Sequence, residues 1–199
     1  MKRGMIGIVV LGAVIVLLGF SCASTYNSLV GLDQEVDQRW AQVQNVYQRR
    51  ADLVPNLVET VKGAAKFEQE TLTKVIEARA KATQVTVSKD VLTDPAAMQR
   101  FEQAQGELGS ALSRLLVVSE AYPELKSTQN FRDLQAQLEG TENRITVERQ
   151  RFNEAAQQFN TRRNRFPTVL IASFFGSKFK EKTYFQARPG AESVPEVKF

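Results

Sequence analysis

The chain has 199 residues, with 26 Lys and Arg against 22 Asp and Glu for a net charge of +4, no His and one Cys. A charge this small, with acids and bases interspersed, does not indicate a nucleic-acid binder. The missing His removes the commonest general base and metal ligand, and one Cys can form neither an intrachain disulfide nor a zinc or iron–sulfur centre, so no cofactor, metal or small-molecule substrate is expected.

Residues 1–4 are a short basic N-terminus carrying Lys2 and Arg3. Met5 to Ala23 follow without a charged residue, and about 20 apolar residues suffice to cross a bilayer as a helix. The first charges beyond are Asp33, Glu35 and Asp37, so the positive-inside rule predicts a cytoplasmic N-terminus and a domain outside the cytoplasm. The span reads as a retained signal anchor. Two alternatives stand beside it: a cleaved secretory signal, and a lipoprotein acylated on Cys22. For the latter, the preceding Gly19, Phe20 and Ser21 are a poor match.

Beyond the span, apolar residues fall at Leu29, Leu32, Val36, Trp40, Val43 and Tyr47. Steps of three and four make one helical stripe, and a helix is expected over about 26–53. Arg49, Arg50, Asp52, Pro55 and Asn56 come next. Pro55 removes a backbone donor and disfavours helix at the residue before it. Either the chain turns here and a second helix runs over about 55–84, or one long helix kinks. The charges around Pro55 read as a knot pinning that turn.

The second stripe is Leu57, Val58, Val61, Ala65, Leu72, Val75 and Ile76, with Glu77 and Lys81 as an i,i+4 pair outside. Residues 83–93 lose helical period and read as a loop. Asp94-Pro95 is a helix start, and Met98, Phe101, Leu108, Leu112, Leu115 and Leu116 carry the stripe to about residue 121. Gly106, Gly109 and Ser110 in its middle suggest close packing of a neighbouring backbone. Ser127 or Thr128 caps the last long helix, over about 128–165 and roughly 55 Å long at 1.5 Å per residue. A C-terminal apolar and basic segment follows over 167–187, and 188–199 read as a disordered tail.

Several runs resemble the bacterial LemA family. They are Tyr26-Asn27-Ser28-Leu29-Val30, Trp40-Ala41-Gln42-Val43, the long run from Arg49 through Pro55 to Gly63, and Ala121-Tyr122-Pro123-Glu124-Leu125-Lys126. Phe131, Leu134, Thr141-Glu142-Asn143, Ile145, Phe166-Pro167, Ala172 and Phe174-Phe175 extend them. The resemblance covers Tyr26 to about Phe185 and lapses around 83–94. It implies an all-α fold in which the transmembrane helix precedes an antiparallel, up-and-down four-helix bundle over 24–187. It also implies a place in the bacterial inner membrane and no established enzymatic activity.

The function expected is a non-catalytic membrane-anchored scaffold. It would associate with itself as a homo-oligomer, through coiled-coil-like contacts, or bind a membrane or envelope protein. The alternative is a lipid-binding or membrane-remodelling protein. With four passes, the last helix returns toward the bilayer. There Arg162, Arg163, Arg165, Phe174, Phe175, Lys178, Phe179 and Lys180 interleave basic and aromatic side chains suited to a membrane interface or a partner. If Pro55 only kinks the chain, that parity changes and the basic end lies far from the bilayer.

Overall fold

The computed structural model describes residues 2–63, 68–85 and 89–186, so the tail expected over 188–199 lies outside it. The described chain is all-helical. Helix α1 spans Lys2–Lys62, α2 Gln69–Val85, a 3-10 turn Lys89–Leu92, α3 Pro95–Ser119, α4 Pro123–Lys126, α5 Gln129–Asn164 and α6 Thr168–Phe174. An extended segment over 180–186 ends the described residues.

The apolar N-terminal stretch and the first amphipathic stretch are one helix of 61 residues, about 90 Å long. Pro55 lies inside it. The turn expected at Pro55 is therefore absent, and the chain reverses between Lys62 and Gln69 instead. The physical reason is visible one turn back. A proline cannot donate to the carbonyl four residues earlier, which here is that of Ala51. Arg79 of α2 supplies the missing donor, with Nε 2.8 Å from the Ala51 oxygen. The helix passes Pro55 because its backbone deficit is met from outside. The reversal has moved along the chain rather than disappeared.

Local signals place α3 well. The Asp94 side chain accepts from the Ala96 N–H at 2.9 Å and Pro95 opens the helix. The stretch read as a loop contains the 3-10 turn, whose Val91 and Leu92 are buried. Ile76, assigned to the α2 stripe, is exposed. Lys81 pairs not with Glu77 but with Glu107 of α3, at 3.5 Å.

Contacts fix the directions. Arg50 meets Glu142 and Trp40 packs on Phe152, so α1 and α5 run past each other in opposite senses. Lys81 and Ala82 meet Glu107 and Gln105, so α2 and α3 do likewise. At 17 residues α2 is little more than a quarter as long as α1 and packs on its distal end. Two core clusters result. The distal one joins Val54, Leu57 and Val61 of α1 to Leu72 and Val75 of α2, Leu108 and Leu115 of α3 and Phe131 of α5. The proximal one joins Leu29, Val36, Trp40 and Tyr47 to Phe101 of α3 and to Phe152 and Phe159 of α5, and it is closed by Phe179 and Phe185. Burying each such side chain contributes about 1.5–3 kcal/mol.

Where α2 runs out, the 180–186 segment takes its place. Asn160 donates to the Lys182 carbonyl and accepts from its N–H, both at 2.8 Å. Asn153 repeats this with Phe185, at 3.0 and 2.9 Å. The register follows from geometry. Seven helical residues rise about 10.5 Å, and three extended residues span about 10 Å, so a helix can read an extended strap with one Asn every second turn.

Candidate functional site

Two arrangements collect the residues that the sequence singles out. The first surrounds Arg50, which is only 2% exposed and is not part of any surface knot. It lies on α1 between the two core clusters. Its Nη1 is 2.7 Å from Glu142 Oε1 of α5, and its Nη2 is 2.5 Å from Gln105 Oε1 and 3.0 Å from the Gln105 carbonyl of α3. Gln105 in turn donates to the Ala82 carbonyl of α2 at 3.3 Å. The guanidinium thus ties α1 directly to α3 and α5, and through Gln105 to α2, a use that its planar fork of donors permits and a lysine's single nitrogen does not. The guanidinium carbon also lies 5.0 Å from the Tyr47 ring centre.

Arg49, Asp52 and Asn56 are exposed on the same helix. Asp52 accepts from Gln48 at 2.8 Å, and the Asn56 carbonyl accepts from Thr60. They serve the surface of α1, so the knot expected around Pro55 is not formed. The glycines of α3 also have a different role from the one expected. A Cβ on Gly109 would lie 3.8 Å from Arg50 Nη1, and one on Gly106 would meet nothing within 4 Å. Gly106 borders an open cleft of about 670 Å³ over Arg50, Glu102, Glu142 and Arg149, and Gly109 borders a neighbouring one with Leu138 and Glu142. No helix backbone presses against them.

Arg149 repeats the theme in the proximal half of the domain, toward the apolar part of α1. It bonds Glu102 at 2.7 Å and the Gln186 carbonyl at 3.1 Å, and lies 4.5 Å from the Phe185 ring centre. Burial pushes the Glu102 carboxyl above its ordinary range, against the opposing pull of Arg149 and the Gln186 N–H. Burial likewise raises the Tyr47 phenol, with Arg149 and Arg50 opposing. Among the described residues no group of His, Cys, Asp or Glu is placed to hold a metal ion.

The second arrangement is the proximal cap. The helix α5 ends at Asn164 and α6 turns back onto α1, where Tyr26 lies 5.0 Å from Phe175 and 5.5 Å from Phe179, centre to centre. Lys178 bonds the Tyr26 hydroxyl at 2.5 Å. Of the residues expected at an interface, Phe179 is a correction. It is fully buried, because its ring plugs the open end of the proximal core beside Tyr26 and Phe159. Arg163 is partly withdrawn too, its Nε donating to the Phe179 carbonyl at 2.6 Å. Arg162, Arg165, Phe174, Phe175, Lys178 and Lys180 are exposed. Phe166 and Leu170 lie outside the set expected at an interface, yet they join Phe174 at a four-residue spacing, and the three are exposed by 80%, 62% and 84% in chain order. That spacing is the helical signal that could have found them. Cys22 is exposed on α1 at the end of its apolar stretch.

The chain is 24% identical to the magnetosome protein MamQ of Magnetospirillum gryphiswaldense, over 97% of this chain and 77% of that one. It has the same identity to magnetosome protein MamQ 2 of Paramagnetospirillum magneticum, over 84% of this chain and 67% of the relative. Protein LemA of Metamycoplasma hominis is 24% identical, over 73% of this chain and 63% of that one. The model of the LemA family matches residues 39–199, from the Trp40 that seeds the proximal core through Arg50 and α5 to the end of the chain, and on that match the protein belongs to the LemA family.

Proposed function

We propose that this protein is a non-catalytic scaffold of the bacterial inner membrane. It crosses once through the N-terminal part of α1, holds an up-and-down four-helix domain outside the cytoplasm, and assembles with copies of itself or with a membrane or envelope protein. The observation that carries the reading is the continuity of α1. One unbroken helix includes an apolar stretch without a charge over 18 residues and more, and then supplies one wall of both cores. Such an element transmits position from bilayer to domain without a hinge. The most conspicuous buried charge, Arg50, is consumed in helix-to-helix bonds, which suits a rigid post better than a reactive centre.

A mass measurement on the full-length protein in detergent tests the assembly. A discrete large particle supports self-association, and a monomer sinks it and leaves the protein partner. Protease access in spheroplasts tests the topology. Cleavage of the domain without lysis is expected, and protection refutes the orientation. A second reading, lipid binding or membrane remodelling through the C-terminal segment, is favoured by the exposed apolar residues of α6. Reshaping of vesicles by the reconstituted protein, lost on removal of residues 167–187, is its expected sign.

A further inference from the structure

We infer that α6 lies in the headgroup layer of the same bilayer that α1 crosses, with Phe166, Leu170 and Phe174 inserted between lipids and a collar of cations on anionic headgroups. This rests on the reading of α1 as a membrane span.

Position comes first. The apolar stretch of α1 closes at Ala23, and Tyr26 is three residues on, about 4.5 Å along the helix axis. The polar layer on each side of a bilayer is roughly 5–7 Å thick, so Tyr26 falls within it. The helix α6 is held at that level by the contacts of Phe175, Phe179 and Lys178 with Tyr26.

Shape comes second. Thr168 and Ala172 of α6 are buried, while Leu170 and Phe174 of the same helix, and Phe166 in the turn just before it, are exposed. A phenylalanine buries about 150–250 Å², so at their exposures of 80%, 62% and 84% three side chains of about that size supply roughly 340–560 Å², short of the ~800 Å² per partner that a stable protein interface takes. The patch is too small to hold a protein partner or a second copy by itself. It is the size that an interfacial helix needs when a span already fixes it to the membrane.

Charge comes third. From Ala155 to Lys180 there is no acidic residue, and there are five basic ones: Arg162, Arg163, Arg165, Lys178 and Lys180. On α1 no acid precedes Asp33, and that carboxylate is taken by Lys182 at 2.6 Å. Arg162 and Arg165 line a cleft with Leu32, about 13 Å above Ala23 along α1, close enough for long side chains to reach down and within roughly a Debye length of the surface. Two acids border this end, Glu154 on the same cleft and the exposed Glu181, which accepts from Asn164 at 3.3 Å, so the five cations outnumber the acids that would repel anionic lipid.

The test places a fluorophore on Leu170→Cys in the full-length chain, in a Cys22→Ser background, and reconstitutes it into phosphatidylcholine vesicles with or without phosphatidylglycerol. A second protein carries the label on Val117→Cys, an exposed position on α3. Lipids with a quencher near the top of the acyl chain should quench the label at 170 several-fold more than that at 117. Adding phosphatidylglycerol should increase quenching at 170 only. The pair Phe166→Ser and Phe174→Ser, both at exposed positions, should abolish it while the thermal melt is kept. Equal, weak quenching at 170 and 117 in protein that floats with the vesicles overturns the seat while sparing the anchor. Protein that does not float overturns both. A label at 170 shielded from aqueous iodide yet unquenched by lipid overturns the seat in favour of a second copy or another protein. Equal quenching with and without phosphatidylglycerol overturns the headgroup assignment.

Discussion

Replacing Arg50 by Met tests the claim that one guanidinium locks α1 to α3 and α5. Methionine keeps the apolar stem and removes all three bonds. Removing one partner of a fully buried ion pair costs ~3–5 kcal/mol, but Glu142 is 41% exposed and can turn to water, so its share falls toward the ~0–1 kcal/mol of a surface pair. The larger loss is at Gln105, itself 6% exposed, whose side-chain oxygen gives up a charged donor for ~1–3 kcal/mol. The sum is about 2–3 kcal/mol. For a domain of this size 1 kcal/mol shifts the melting temperature by roughly 2–4 °C, so a fall of ~5–10 °C is expected in a far-ultraviolet circular dichroism melt of the full-length protein in detergent. The neighbouring Arg49→Met, on the exposed face, should move the melt by less than ~2 °C, as surface changes do. Equal shifts for the two substitutions would refute the lock, because burial is what separates two adjacent arginines of the same helix.

Three further outcomes follow from the same structure. Arg79→Met strips the Ala51 carbonyl of its outside donor and should cost ~1–2 kcal/mol. In a Pro55→Ala background the same change should cost less, because the helix then satisfies that carbonyl itself, and a double-mutant melting cycle reads the difference. Asn160→Ala removes both bonds to Lys182 and should speed tryptic cleavage at Lys180 without unfolding α1, measured by limited proteolysis with mass spectrometry. The Tyr47 phenol titrates above its unfolded value of 10.0, so its contribution to stability is full below that pH and is lost as the pH climbs past the folded value. Accordingly one of the four tyrosines should titrate late by absorbance at 295 nm. Tyr47→Phe should remove that step and soften the fall in stability above about pH 10.

Much of the fold is legible in residue spacing. The stripe from Leu29 to Tyr47, the Asp94-Pro95 start and the apolar run from Met5 to Ala23 all report interactions within a turn or two of chain, where period and capping act. The reading of Pro55 was incomplete for a definite reason. Its missing donor is a local fact, but the remedy comes from Arg79, 28 residues along the chain. The candidate interface was half legible. Basic and aromatic residues mark the segment, yet Phe174 and Phe179 have the same residue type and opposite fates, since one faces out of α6 and the other plugs the core.

The sequence by itself determined an all-helical chain with an apolar helix long enough to span a bilayer, because helical period and hydropathy are properties of neighbours. Only the tertiary structure decided that Arg50 is a buried lock and that Asn153 and Asn160 hold a strap where α2 ends. It also decided that Phe175 and Phe179 pack on Tyr26 while Phe166, Leu170 and Phe174 are left exposed. Each of these depends on which distant segments meet, and the chain records that meeting only through the geometry of its packed cores.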